Sequence, residues 1–479
     1  MKKVVIIGAG PAGLFAAYKL AGKCDVTILD KGLPVEKRHC PSPNNCKRKC
    51  KLCAKLYGEG GAGLMSDGKI IFSTEIGSFL NNVDGVGEER NKGLVAEVQE
   101  IFGRYDVQIN PLSEEINSKI SGLEKACAAE GIRYVPTILA HVGTDKLEEL
   151  IINFRNELIE KGVRFVPKSD VKNIHVENSG RIIVETKREY SFYEKAKNTL
   201  RRIFLRKNDD AYECDNLIMA PGRVGAKWLE GIVHKLGIEY TYNAMDLGVR
   251  VEVKRDKTDR ITEVCRDMKF QMRTSTYNDL VRTFCTCPGG KVAIEAHEEG
   301  YNLVNGHSEK GDPYENTNFA FLVTIPFTSP MANGNEYARM IAAAVKELGG
   351  GKPILQQLGD LRTGHRSKKE RINDFKVKPS LEGITFGDVG LALPHRIVLD
   401  IIEGLEKLDK IIPGVANDET LLYAPEAKFH ALRIKNSDGY LQTSIPGIYV
   451  AGDGAGLSRG IVGAAACGVL AAEGILRED

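Results

Sequence analysis

The chain has 479 residues, more than one ordinary hydrophobic core accommodates, so two or three domains are expected. Hydrophobic residues make up 42% and charged residues 27%, a balance that excludes a disordered or fibrous chain. The formal net charge of +2 excludes a global field of the kind that gathers nucleic acid or an anionic membrane.

Met1-Lys2-Lys3 and the apolar run behind it resemble a signal peptide, but the glycine spacing inside that run explains it better. The late apolar stretch 460–472 falls short of the ~20 residues a spanning helix needs, so no transmembrane segment is expected and the cytoplasm follows. In chain order, residues 4–7 read as a buried strand, GAGPAG follows, LFAAYKLA is a good helix former, and 26–29 form a second apolar strand ending at Asp30. This is βαβ order with glycines at the first turn. Gly8 permits the tight turn, Gly10 lets the backbone approach a pyrophosphate, and Gly13 lets helix and strand pack closely. Pro11 and Ala12 open the helix whose N–H groups face the phosphates, and Asp30, with Lys31 beside it, lies where an acid accepts ribose hydroxyls.

Four of the eleven cysteines fall in the next segment, as Cys40-x5-Cys46-x3-Cys50-x2-Cys53. A disulfide framework belongs to small secreted chains, so metal or redox use is expected. Residues 37–55 are rich in Lys and Arg and hold no acid, which offsets the charge of thiolates around a metal centre. A [4Fe–4S] cluster on Cys40, Cys46, Cys50 and Cys53 is the leading reading, with zinc and free or disulfide-forming thiols as alternatives. Behind it, Gly60, Gly61 and Gly63 make a loop whose amides reach a phosphate or a ring edge, and Ser66, Asp67 and Lys69 are candidate cofactor contacts.

His141 and Asp145 follow as lesser candidates, since Thr144 or Asp145 also suits a helix cap. Between Lys187 and Lys207 eight basic residues stand against two acids, with Phe192, Ala196, Leu200, Ile203 and Phe204 at helical spacing. A basic amphipathic helix over 190–207 suits an anionic surface, an acidic partner or RNA, and equally a helix packed on its own domain. DNLIMAPGR (215–223) and GIYVAGD (447–453) are strands running into small-residue turns. These turns hold Ala220, Pro221, Gly222, Arg223, Gly452 and Asp453, and Gly460 and Ile461 open a helix rich in small residues.

Residues 241–375 are rich in short strand-like runs (MDLGVRVEV, KFQMR, VRTFCTC, KVAIEAH, NFAFLVTIPF), with a helix over 335–348. A β-rich substrate or cap domain inserted at 241–375, within a cofactor domain of 1–240 and 376–479, is the expected division. Two cysteines two apart in a strand share a face, which makes Cys285 and Cys287 candidate catalytic residues, though two small buried residues fit the pattern as well. Arg250, His297 and Arg366 are candidate anion contacts. No second GxGxxG follows a strand, so no dedicated nicotinamide-nucleotide domain is expected.

The paired terminal segments resemble those of glutathione-reductase-like flavoproteins, in which the Gly-Asp matching Gly452-Asp453 closes an FAD site. GEGGAGLMSDGKI (58–70), HVGTDKL (141–147), APGRVGAKW (220–228) and RTFCTCPGG (282–290) are similar to a poorly characterised family of FAD-dependent dehydrogenases. The resemblance implies an α/β, Rossmann-type FAD-binding domain with a parallel sheet, helices and a β-meander, plus an inserted β-rich domain. It implies an FAD-dependent oxidoreductase with cofactor contacts at Ala220, Pro221, Gly222, Arg223, Gly452, Asp453, Gly460 and Ile461 and no settled substrate; the leading reading adds a small or apolar substrate and an iron–sulfur centre at the cysteine cluster, or an electron-transfer protein, feeding the flavin. A flavin-dependent RNA-modifying protein, a redox sensor holding FAD structurally, and an isoprenoid double-bond reductase are the rival readings.

Overall fold

The computed structural model describes residues 1–41, 50–65, 69–107, 113–137, 139–142, 144–188, 211–296, 300–308, 311, 313–331 and 333–477. It divides into two units, the first of Met1–Asn110, Ile138–Thr241 and Ala431–Asp479, the second of Pro111–Thr137 and Tyr242–His430.

The first unit is built on a five-stranded parallel sheet. Its strand order is Ile448–Val450, Asn216–Met219, Lys3–Ile7, Asp25–Leu29, Arg164–Val166. Val4 to Ile7 are all buried, as are Val26 to Leu29, because a parallel sheet is covered on both faces and needs continuous apolar runs. Lys3–Ile7 pairs with Asp25–Leu29 on one side and with Asn216–Met219 on the other. The strand order therefore reverses at the first strand, and at the carboxyl end of such a switch point an α/β sheet leaves a crevice for ligand.

Helix Pro11–Leu20 starts with proline at its first turn, where the missing N–H costs nothing and the fixed φ suits the helix. Helix Ile461–Arg477 lies against it, closely enough that a Cβ on Gly468 would stand 2.0 Å from the Ala12 carbonyl oxygen. The strands Ser169–Val176, Ile182–Arg188 and Ala211–Cys214 form an antiparallel meander, as expected for this class. Of the basic stretch, Lys187 and Arg188 belong to the middle strand, and 189–210 lies outside the described residues.

The second unit is an eight-stranded sheet in the order Thr385–Phe386, Ile354–Gln357, Leu421–Lys428, Met245–Lys254, Asn316–Ile325, Leu280–Cys287, Phe270–Arg273, Ile132–Tyr134. Only the first pair is parallel. Helices Gly334–Leu348 and His395–Asp409 bury Ala338, Ala342, Ile397, Ile401 and Leu405 in a core with Val249, Val251, Phe319 and Phe321. A smaller cluster gathers Val292, Val304, Phe375 and Tyr423.

The unit reaches further than the expected 241–375, to His430, and it takes in Pro111–Thr137. Leu421–Lys428 is hydrogen-bonded between Met245–Lys254 and Ile354–Gln357, in the interior of the sheet, and Ile132–Tyr134 completes the far edge. An apolar run shows that a strand exists; which sheet it joins is set by pairing distant in sequence.

Candidate functional site

The first turn is held by contacts that only glycine permits. Gly8 has φ +104°, and a Cβ there would stand 2.2 Å from the Ala220 carbonyl oxygen. A Cβ on Gly13 would stand 1.9 Å from the Gly8 carbonyl oxygen, so the helix packs directly on the turn. At Gly10 the nearest neighbour of such an atom is the Gly61 Cα at 3.7 Å, so the first turn and the glycine loop face each other. Gly60 N–H donates to the Ala9 carbonyl at 2.8 Å and ties the two loops. No side chain caps helix Pro11–Leu20, so its first N–H groups are left for an anion.

These loops line a cavity of about 540 Å³ at the carboxyl edge of the parallel sheet. It gathers Gly8, Gly10, Pro11, Ala12, Asp30, Lys31, Gly61, Gly63, Ala220, Pro221, Gly222, Arg223, Gly452, Asp453, Gly460 and Ile461, drawn from six separate stretches. Gly13 and Gly60 shape its walls without lining it. Ser66 and Asp67 lie outside the described residues. Lys69 pairs with His141 across the small sheet of Lys69–Ile71 and Leu139–His141, and Asp145 is the second residue of helix Thr144–Glu160.

Asp30 accepts hydrogen bonds from Ala9 N–H at 2.8 Å and Gly32 N–H at 2.6 Å. Each carboxylate oxygen retains a second lone pair, so the acid that fixes the turn still has acceptor capacity for a hydroxyl. Burial pushes its pKa up, against those two backbone donors. Asp453 accepts from Ser458 Oγ at 2.7 Å and Gly460 N–H at 3.3 Å, with Arg223 at 3.4 Å. Burial raises it as well, and the Arg223 charge opposes that.

Sequence reasoning missed several lining residues. Tyr57 precedes the glycine loop, and Ser169, Asp170 and Val171 come from the first meander strand, with Lys31 and Asp170 paired at 3.4 Å. Trp228 follows the APGR turn by one helical turn, and its indole N–H is buried without a hydrogen-bond partner. The glycine-lined walls, the uncapped helix, two half-buried acids and an unpartnered donor fit a dinucleotide such as FAD.

The metal expectation is not met in the same way. Among the described residues no three His, Cys, Asp or Glu side chains form a group that could hold a metal ion, and Cys46 lies outside them. The flanking positive charge has another use. Arg38, 1% exposed, donates to the carbonyls of Ala54 at 3.0 Å, Lys55 at 3.2 Å and Glu59 at 2.5 Å, closing the base of the cysteine segment.

Cys285 and Cys287 lie in the second unit, in strand Leu280–Cys287, with Cys287 buried and Cys285 partly exposed. Arg250, expected as an anion contact, is fully buried and committed to Asn318, the Cys285 carbonyl and Glu426. Arg366 donates to the Phe386 carbonyl, and His297 lies outside the described residues.

The family model for "FAD-dependent protein, C-terminal domain-like" matches residues 244–429, which falls within the second unit. An uncharacterised protein of Clostridium beijerinckii (strain ATCC 51743 / NCIMB 8052) is 27% identical over 496 residues, covering 99% of this chain and 80% of that one. Among solved structures, L-proline dehydrogenase from P. horikoshii overlays with a TM-score of 0.37 at 13% identity, covering 100% of this chain and 94% of that one. Glycine oxidase from Geobacillus kaustophilus overlays with a TM-score of 0.36 at 10% identity, covering 100% and 96%. Among the described residues no helix is long and apolar enough to cross a membrane.

Proposed function

We propose that the first unit binds FAD and that the protein is an FAD-dependent oxidoreductase acting on a small-molecule substrate. The observation that carries this reading is the cavity at the sheet's switch point, with glycine turns on two sides and a half-buried acid at the end of each of two parallel strands. The description of the matched family model supports FAD over a nicotinamide nucleotide.

In this reading the N–H groups at the start of helix Pro11–Leu20 hold the pyrophosphate, and Asp30 accepts from the adenosine ribose. Asp453 and Gly460 hold the phosphate and ribityl region, and Trp228 donates its indole N–H to the cofactor. When bound, the flavin supplies the two-electron chemistry, and the protein supplies orientation and electrostatics.

The test is flavin stoichiometry. Purified protein is expected to carry one FAD per chain, released on denaturation and identified chromatographically. A folded chain that takes up NAD or NADP in place of FAD would overturn the assignment. Reduction of the bound flavin by a panel of amines, hydroxy acids and apolar alkenes, followed by its visible absorbance, then sorts the substrate class.

A further inference from the structure

The strand Leu280–Cys287 is irregular where its two cysteines lie. Phe284 pairs with Ala320 and Cys287 with Asn318, so three steps on one strand oppose two on the other. The extra residue makes a bulge. Cys285 sits in it with φ +50°, a left-handed conformation that a non-glycine residue holds only under constraint. The constraint is visible: Thr286 N–H donates to Asp267 at 3.0 Å, and Arg250 donates to the Cys285 carbonyl at 2.6 Å. The bulge also brings Cys287 Sγ within 3.7 Å of the Cys285 carbonyl oxygen, the group that Arg250 also holds.

Arg250 favours a negative charge on this pair, and the Asp267 carboxylate opposes one. The Arg250 guanidinium reaches Cys287 Sγ at 3.5 Å, and a Cβ on Gly306 would stand 1.8 Å from Arg250 Nη2 and 2.6 Å from that sulfur. Glycine is thus required opposite, and the guanidinium and thiol pack against bare backbone. The neighbouring Cys285 thiol pulls the Cys287 thiol down to about 6, burial opposes this, and Arg250 adds to the lowering. Cys285 keeps the shared proton and is raised.

We propose that Cys285 and Cys287 are a redox dithiol that exchanges with a small organic disulfide. The site lies wholly in the second unit and stands independently of the cofactor reading. Cys285, the less buried of the two residues, passes its proton to Cys287 and attacks one sulfur of the disulfide, releasing the first thiolate. That thiolate takes the proton from Cys287. The Cys287 thiolate then attacks Cys285 Sγ and expels the second thiolate. The substrate disulfide is reduced to two thiol products, and the protein pair is oxidised to an internal disulfide. Closing a ring between cysteines two apart strains that bond, so it is readily reversed by a dithiol.

The full-length protein, held anaerobically with hydroxyethyl disulfide, is quenched, blocked with N-ethylmaleimide and mapped by peptide mass. The peptide holding Cys285 and Cys287 is expected unlabelled and lighter by two hydrogens, with both labels restored after dithiothreitol. Cys287→Ser is expected to stop at a lasting mixed disulfide on Cys285. Arg250→Met is expected to slow labelling of the pair about tenfold at neutral pH, and to move its half-maximal pH upward. A wild-type peptide that keeps two labels, or that stops at a mixed disulfide, would overturn the proposal. Because the readout is mass and not flavin absorbance, either outcome leaves the FAD reading untouched.

Discussion

Single atoms decide much at the first turn. Gly8→Ala would place a methyl 2.2 Å from a backbone oxygen at a φ of +104°, where neither side can yield. We expect this change to cost more than ~2 kcal/mol of stability and to reduce bound flavin to under about a tenth of wild type, read as flavin absorbance per chain. Asp400 offers a pH test. It is fully buried, accepts from Thr274 Oγ1 at 2.7 Å, and leaves its other oxygen without a partner. Burial pushes its carboxyl up to about 6, and the nearby Asp279 adds to that. The folded protein therefore holds the proton more tightly than the unfolded chain, whose aspartates titrate near about 4. The stability this group contributes is full below that pH and lost as pH rises through 6. Asp400→Asn keeps the acceptor and removes the charge. It should leave urea midpoints unchanged near about pH 4 and raise stability by about 2 kcal/mol at about pH 8.

At the scale of elements, the packing of helices Pro11–Leu20 and Ile461–Arg477 reverses an ordinary rule. Gly→Ala inside a helix normally stabilises by up to ~1 kcal/mol. Gly468 lies inside one, but its Cβ would stand 2.0 Å from the Ala12 carbonyl oxygen. Gly468→Ala is therefore expected to destabilise by about 2 kcal/mol and to lower flavin occupancy, since Ala12 also lines the cavity. Thermal midpoints with and without added FAD check both parts. The opening βαβ unit and the small-residue terminal helix were legible in the sequence because their constraints are local: glycine spacing, apolar runs, a proline at the first turn. The bulge at Cys285 was not legible, since it arises from pairing with Asn316–Ile325 and from the side chain of Asp267.

For the molecule as a whole, Ile182–Arg188 and Ala211–Cys214 pair antiparallel on either side of residues 189–210. Joining Arg188 to Ala211 by two residues leaves a five-residue loop between the paired Glu185 and Ala211 and keeps the same ladder, and loop length changes closure entropy only slowly. The replacement is expected to leave thermal stability and flavin content unchanged. We propose that the basic residues between 187 and 207 meet an anionic surface, so sedimentation with phosphatidylserine vesicles should fall with the replacement; unchanged sedimentation removes that proposal.

By itself the sequence determined the dinucleotide turn, the acid at the end of the second strand and the existence of a β-rich unit, because each rests on near-neighbour sterics and periodicity. Tertiary structure decided the rest. It drew Ser169, Asp170 and Trp228 to the cavity, placed Leu421–Lys428 inside the second sheet, and turned Arg250 from an anion contact into the buried partner of a thiol. Those outcomes depend on hydrogen-bond pairing and burial between residues far apart in the chain, which no local pattern encodes.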